Sequence, residues 1–243
     1  MSLPERARVL VAVPAWNEQE TVAAVVKEVR RCVPAADILV VDDGSSDQTA
    51  TEARGAGATV VVLPFNVGVG GAMRTAFLHA KRHGYDAVVQ VDADGQHSPE
   101  CVPTVIEALE RANIVIGSRF AGSDHYRVRG PRAWAMRLLA AVLSRVARTP
   151  LSDVTSGFRA ADRSAITLFA RHYPAEYLGD TIDSLVMACR SGLTVREVPV
   201  TMQARQGGRP SHAPVKATLY LGRSMLALGV ALSRRRSSIS EAG

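Results

Sequence analysis

The sequence predicts an α/β fold with a mostly parallel sheet covered by helices on both faces. Short runs of Val, Ile and Leu alternate along the chain with segments of helical apolar spacing, the pattern of strands joined by crossover helices. The runs themselves are apolar and largely β-branched, as expected of strands buried inside a sheet. Polar residues then collect just after four of them, and open α/β sheets bind ligands at the carboxyl ends of their strands.

Residues 9–14 (Val-Leu-Val-Ala-Val-Pro) read as the first strand. Helical spacing follows from about 18 to 32, with Val22, Val25, Val26 and Val29 as the apolar stripe. Residues 38–42 form a second buried strand, and Asp47 then reads as the N-cap of a helix closed by Gly55 and Gly57. A third strand spans about 58–63, followed by a helix over 69–83 and a strand over 86–92. Pro99 suits the first turn of a helix over 99–111, and 113–117 make another short strand.

Beyond Arg119 the pattern changes. A helix is expected over 131–148, a polar turn at 155–159, helices over 162–171 and 180–191, and an edge strand over 194–202. An apolar helix over about 214–232 closes the chain, followed by three arginines and a tail (237–243) that reads as disordered. There is no internal repeat or long linker, so residues 1–213 read as one domain and 214–236 as an added apolar and basic helix.

Composition narrows the function. Of 243 residues, 47% are hydrophobic and 21% charged, which excludes a disordered chain. Three scattered cysteines, Cys32, Cys101 and Cys189, exclude a disulfide framework or a cysteine zinc site and suit a reducing compartment. The N-terminus has no signal-peptide core, and no uncharged apolar stretch reaches the roughly 18 residues of a simple membrane span.

The net charge of +6 is concentrated in two segments. Residues 119–148 hold seven arginines against one acid, and 203–243 hold six arginines and Lys216 against one acid. Both are also rich in Leu, Ala, Val and Met, which points to an anionic membrane surface at the cytoplasmic face. Few aromatics interleave the charges, which argues against nucleic acid.

The polar clusters carry the chemistry. Asn17 and Glu18 follow the first strand, Asp42 and Asp43 the second, Asn66 the third, and Asp92 and Asp94 the fourth. Alone, Asp-x-Asp-Gly is an ordinary turn; four coincident clusters read as one site. One carboxylate pair can accept from a base-edge N–H, while the other holds a hard divalent cation, Mg²⁺ or Mn²⁺, that neutralises a diphosphate. A dinucleotide loop is not the explanation, because Gly68-x-Gly70 is followed by Met73 where a third glycine belongs, and no P-loop motif is present.

Pro14-Ala15-Trp16-Asn17-Glu18, Val41-Asp42-Asp43-Gly44-Ser45-Ser46-Asp47, Asn66-Val67-Gly68-Val69-Gly70-Gly71-Ala72 and Val91-Asp92-Ala93-Asp94-Gly95-Gln96-His97 occur in that order. Over roughly residues 8–212 the chain resembles family 2 glycosyltransferases of the GT-A fold, and most of all the dolichyl- or polyprenyl-phosphate sugar synthases. Trp16 stands where the family usually carries Tyr or Phe.

The resemblance implies a donor half over about 8–119 and an acceptor half over 120–213. It assigns Pro14, Ala15, Asn17, Glu18, Asp42, Asp43, Asn66, Gly68, Gly71, Asp92 and Ala93 to the donor nucleotide, and Asp92, Asp94 and Gln96 to the metal. It sets Arg119, Arg129, Arg132 and Ser211 toward the acceptor phosphate. Asp94, Arg119, Asp180, Asp183 and Arg205 fall at the reacting centre, with Arg205 on a late loop that closes over the donor. In that loop Ser211-His212 stands where the family often has Ser-Lys.

The expected reaction is inverting transfer of a sugar from a nucleoside-diphosphate sugar to a polyprenyl phosphate. A glycan hydroxyl as acceptor, with Asp180 or Asp183 as base, and a non-catalytic nucleotide-sugar binding protein are the alternatives. The basic helices are expected to face lipid, the protein's own core or a small membrane-protein partner.

Overall fold

The computed structural model describes residues 7–119, 131–174 and 180–201. Arg129, Arg205 and Ser211, the expected helix over 214–232 and the tail lie outside these residues. Arg132 and Asp180 are placed by backbone alone, in the first turns of their helices.

Seven strands form one sheet in the order β3-β2-β1-β4-β6-β5-β7. They are β1 (Val9–Ala15), β2 (Asp37–Asp42), β3 (Thr59–Val62), β4 (Ala87–Gln90), β5 (Ile114–Ser118), β6 (Arg159–Asp162) and β7 (Val195–Pro199). All pairings are parallel except those of β6, which runs antiparallel to both β4 and β5. β1 holds the centre of the parallel half, and its alternating side chains enter two separate cores: Val9, Val11 and Val13 one, Leu10 and Ala12 the other.

Helices cover both faces. On the first lie α1 (Val22–Cys32), α2 (Thr49–Gly55) and α4 (Val102–Ala108), the last preceded by a 3₁₀ turn at Pro99–Cys101. The expected stripe of Val22, Val25, Val26 and Val29 is fully buried there, each valine contributing about 1.5–3 kcal/mol. On the second face lie α3 (Val69–His83), α5 (Pro131–Ala147), α6 (Arg163–His172) and α7 (Asp180–Arg190).

Some expectations change in detail. α1 begins at Val22, because Glu18 to Thr21 form a turn in which Thr21 and Val22 both donate to the Glu18 carbonyl. Asp47 lies one residue outside the cap position and its Oδ1 accepts from the Thr49 N–H at 3.0 Å. The polar stretch 155–159 leads into a strand that short Ala-Ala sequence does not announce; β6 forms because it fills the gap between β4 and β5.

Of the surroundings expected for α5, its buried apolar residues meet the protein's own core. Leu139, Ala140 and Leu143 are buried in the protein's own core, while Arg137, Arg145 and Arg148 are exposed. Among the described residues no helix is long and apolar enough to cross a membrane.

Candidate active site

The carboxyl ends of β1, β2, β3, β4 and β5 share one edge of the sheet, and the loops leaving them are stitched together by side chains. Beyond β1, Asn17 takes a left-handed conformation (φ 54°), which asparagine tolerates. Its N–H donates to Ser45 Oγ at 2.9 Å and its Oδ1 accepts from the Ser46 N–H at 2.9 Å. Glu18 adds a bond from its N–H to Thr49 Oγ1 at 2.8 Å. Three hydrogen bonds therefore tie the β1 and β2 loops together.

Asp42 and Asp43 are both buried, at 2% and 3% exposure. The Asp42 carboxylate accepts from the Ser45 N–H at 2.9 Å. Asp43 spans to the β3 loop, accepting from the N–H groups of Val67 and Gly68, each at 2.8 Å. These amides lie at the start of α3, the positive end of its dipole. In a dinucleotide-binding loop such amides serve phosphate; here a carboxylate occupies them. Burial pushes the Asp43 carboxyl above its ordinary value, opposed by those two donors, with the charge of Asp42 adding to the rise.

Two glycines make the loops fit. A Cβ on Gly44 (φ 69°) would sit 2.7 Å from the Phe65 carbonyl carbon. One on Gly71 would sit 2.4 Å from Val67 Cγ2, so the α3 start can pack against the 66–68 loop only without a side chain there. Asn66 closes that loop, its Oδ1 accepting from the Gly68 N–H at 3.1 Å. Trp16 and Phe65 stand exposed near these loops. Pro14, Ala15, Asn17, Glu18, Asp42, Asp43, Asn66, Gly68 and Gly71 thus lie together at the ends of β1, β2 and β3, some buried and some exposed.

Just past β4, Asp92 and Asp94 form a carboxylate shelf, with Ala93 buried between them. The Asp94 carboxylate accepts from the Gln96 N–H at 3.0 Å across Gly95, whose φ is 75°. Gln96 itself is exposed. Asp92 is held from three sides. Gln90, reaching along β4, donates from Nε2 to Asp92 Oδ1 at 3.1 Å. His97 Nδ1 accepts the Asp92 N–H at 3.0 Å, and its Nε2 lies 3.5 Å from Asp92 Oδ2. Gly157 closes the third side: a Cβ there would lie 3.3 Å from Asp92 Oδ2 and 3.1 Å from Gln90 Nε2.

Arg119 leaves β5 and meets a partner the sequence did not disclose. Asp153, with no exposed surface, accepts from Arg119 Nε at 2.7 Å and from a terminal guanidinium nitrogen at 2.9 Å. Ser152 is held beside it by hydrogen bonds to the Glu197 carboxylate and to Ser118 Oγ. Arg159, only 9% exposed, donates to the carbonyls of Val154, Ser156 and Thr181 at 2.7–2.8 Å. It thereby ties the first turn of α7, which carries Asp180 and Asp183, to the segment beside the shelf.

The residues present fit a hard divalent cation. Asp92 and Asp94 offer carboxylate oxygens, and the Asp92 side chain keeps 38% of its surface exposed. Among the described residues no group of three or more His, Cys, Asp or Glu is arranged to hold a metal. Two carboxylates with room for further oxygens suit Mg²⁺ or Mn²⁺ shared with a diphosphate, and not a closed all-protein cage.

A sheet with one antiparallel strand, aspartates at the ends of β2 and β4 and helices on both faces define a GT-A glycosyltransferase fold. The chain belongs to glycosyl transferase family 2, whose family model matches residues 10–169. It is 36% identical over 214 residues to an undecaprenyl-phosphate mannosyltransferase of Micrococcus luteus, covering 83% of this chain and 86% of the relative. It is 32% identical to a polyprenol monophosphomannose synthase of Mycolicibacterium smegmatis, covering 83% and 79%. Among solved structures it resembles glucosyl-3-phosphoglycerate synthase of Mycobacterium tuberculosis in complex with Mn²⁺, UDP and phosphoglyceric acid. That likeness has a TM-score of 0.71 at 23% identity and covers 97% of this chain and 82% of the other.

Proposed function

We propose that this protein is an inverting, metal-dependent transferase that moves a sugar from a nucleoside-diphosphate donor onto a polyprenyl phosphate. The observation that carries the donor half is the Asp92/Asp94 shelf beside the loops fixed by Asp42, Asp43 and Asn17. The acceptor half draws on the polyprenyl-phosphate names of the two mannose-transferring relatives described above.

Asp92, Asp94 and Gln96 would hold the cation, which when bound would supply Lewis-acid neutralisation of charge on the diphosphate. The protein's residues do the rest. The segment from Pro14 to Glu18, with Asp42, Asp43, Asn66, Gly68, Gly71 and Ala93, orients the nucleotide. Arg119, set by Asp153, faces the phosphates. An acceptor phosphate is already an anion near neutral pH and needs no base. Its oxygen bonds to the anomeric carbon as the bond from that carbon to the diphosphate oxygen breaks, and the electron pair leaves with the diphosphate. Arg129, Arg132, Arg205 and Ser211 serve as further phosphate ligands. The enzyme works at the cytoplasmic membrane surface, where the basic face of α5 meets anionic headgroups.

The test is a panel of GDP- and UDP-sugars, GDP-mannose first, incubated with polyprenyl phosphate and Mg²⁺ or Mn²⁺, with mass analysis of the lipid. A monoglycosylated lipid phosphate is expected. Chelation of the metal, Asp92→Asn and Asp94→Asn should each cost about 10²–10³-fold in rate, the several kcal/mol such a cation supplies. Label found only in a glycan polymer would instead support the hydroxyl-acceptor reaction, and a further 10³-fold loss in Asp180→Asn or Asp183→Asn would assign its base. Binding of donor without turnover in any arm would leave a binding protein.

A further inference from the structure

We infer that His97 is a positioning residue for the cation site: as the neutral Nε2–H tautomer it fixes Asp92 in the orientation that faces the metal. The inference rests on Asp92 as a metal ligand, as proposed above. His97 Nδ1 accepts the main-chain N–H of Asp92 at 3.0 Å, and a ring nitrogen that accepts a hydrogen bond carries no proton. The imidazole proton therefore sits on Nε2, which lies 3.5 Å from Asp92 Oδ2. The Nε2–H points away from the direction of the Nδ1 lone pair, so it does not also bond Oδ2 of the same residue, and the hold of His97 on Asp92 is through the main chain.

The ring is itself fixed. His97 is 4% exposed, and its centroid lies 5.1 Å from that of Phe158 at an interplanar angle of 32°. Phe158 is fully buried and directly precedes β6. A segment from the far side of β4 thus sets the imidazole, and the imidazole sets Asp92. Gln90 completes the arrangement from the other oxygen, at 3.1 Å. Gln90 gives Asp92 Oδ1 one donor, and an oxygen with two lone pairs retains one for a cation. Partners of this kind around a ligating carboxylate govern metal affinity.

The alternative role is packing alone, and two variants separate it from positioning. His97→Phe keeps a flat ring against Phe158 and removes both nitrogens. His97→Asn restores an acceptor where Nδ1 stood. Mn²⁺ binding is measured by electron paramagnetic resonance with UDP present and, in parallel, with GDP, alongside thermal unfolding. His97→Phe should weaken Mn²⁺ binding about 10–100-fold, with the melting temperature lower by no more than about 10 °C. His97→Asn should recover most of that affinity.

Long-range ¹H–¹⁵N NMR of the wild-type protein should show His97 as the Nε2–H tautomer, a reading that needs no variant to fold. Wild-type Mn²⁺ affinity in His97→Phe, or an Nδ1–H tautomer, overturns the inference while leaving the metal site standing. Failure of the wild-type protein to bind Mn²⁺ with either nucleotide overturns the metal site itself, and this inference with it.

Discussion

Gly157 has only a hydrogen where any other residue would press on the shelf. The contacts its Cβ would make, 3.1 Å to Gln90 Nε2 and 3.3 and 3.4 Å to the two Asp92 oxygens, are tighter than relaxed packing. Neither neighbour can retreat freely, since each is hydrogen-bonded to the other. Gly157→Ala should therefore displace the Asp92 carboxylate by a few tenths of an ångström. Misplacement on a larger scale, about 1 Å, can cost about 10²-fold in rate. A smaller shift should raise the apparent metal requirement about tenfold with little change in melting temperature. Initial rates against Mn²⁺ concentration check this, and a wild-type metal requirement would show that the shelf absorbs the methyl.

At the scale of elements, the four strand-end clusters were legible because each strand is a largely apolar run and polar residues follow closely on its end. Asp42, Asp43, Asp92 and Asp94 needed no structure to be singled out. Asp153, Gly157, Arg159 and His97 did, because what makes them matter is the antiparallel insertion of β6. That strand begins opposite the end of β4, with Arg159 paired to Gln90. The loop before it is thereby delivered to the carboxyl ends of β4 and β5. Arg-Ala-Ala-Asp has weak strand propensity, and its pairing comes from tertiary context. One signal was available: Gln90, a polar residue in an otherwise apolar strand, marks a site that needs a partner.

The same insertion gives Arg119 its fixed position. The bidentate pair with Asp153 holds the guanidinium in one plane, a geometry lysine cannot reproduce. Removing one partner of a fully buried pair costs about 3–5 kcal/mol; the Arg119 side chain is 30% exposed, so about 1–3 kcal/mol is expected after solvent screening. Asp153→Asn should lower the melting temperature by about 2–10 °C and raise the donor KM about tenfold. Arg119→Lys should give a similar KM with a smaller loss of stability. Calorimetry and donor-saturation kinetics check both, and an unchanged donor KM in Asp153→Asn would remove Arg119 from the phosphates.

For the molecule as a whole, the question is how it would meet the proposed lipid acceptor with no membrane-crossing helix among the described residues. Composition alone left open whether the apolar residues of the 131–148 helix serve lipid or core. The structure commits Leu139, Ala140 and Leu143 to the core and leaves Arg137, Arg145 and Arg148 outside. The hold that Arg137, Arg145 and Arg148 can exert on a membrane surface is electrostatic. A basic residue near an anionic surface contributes about 1 kcal/mol, and the attraction fades within a Debye length of about 8 Å at physiological salt. Replacing all three arginines by glutamine should weaken partition onto phosphatidylglycerol vesicles about 100-fold at low salt. Partition onto phosphatidylcholine vesicles should barely change, and the difference should shrink as salt is raised toward 1 M. Transfer to a short-chain, water-soluble polyprenyl phosphate should proceed normally in the same variant, because the surface contact concentrates the enzyme on its acceptor without entering the reaction. Equal partition of variant and wild type on anionic vesicles would assign membrane attachment to other parts of the chain.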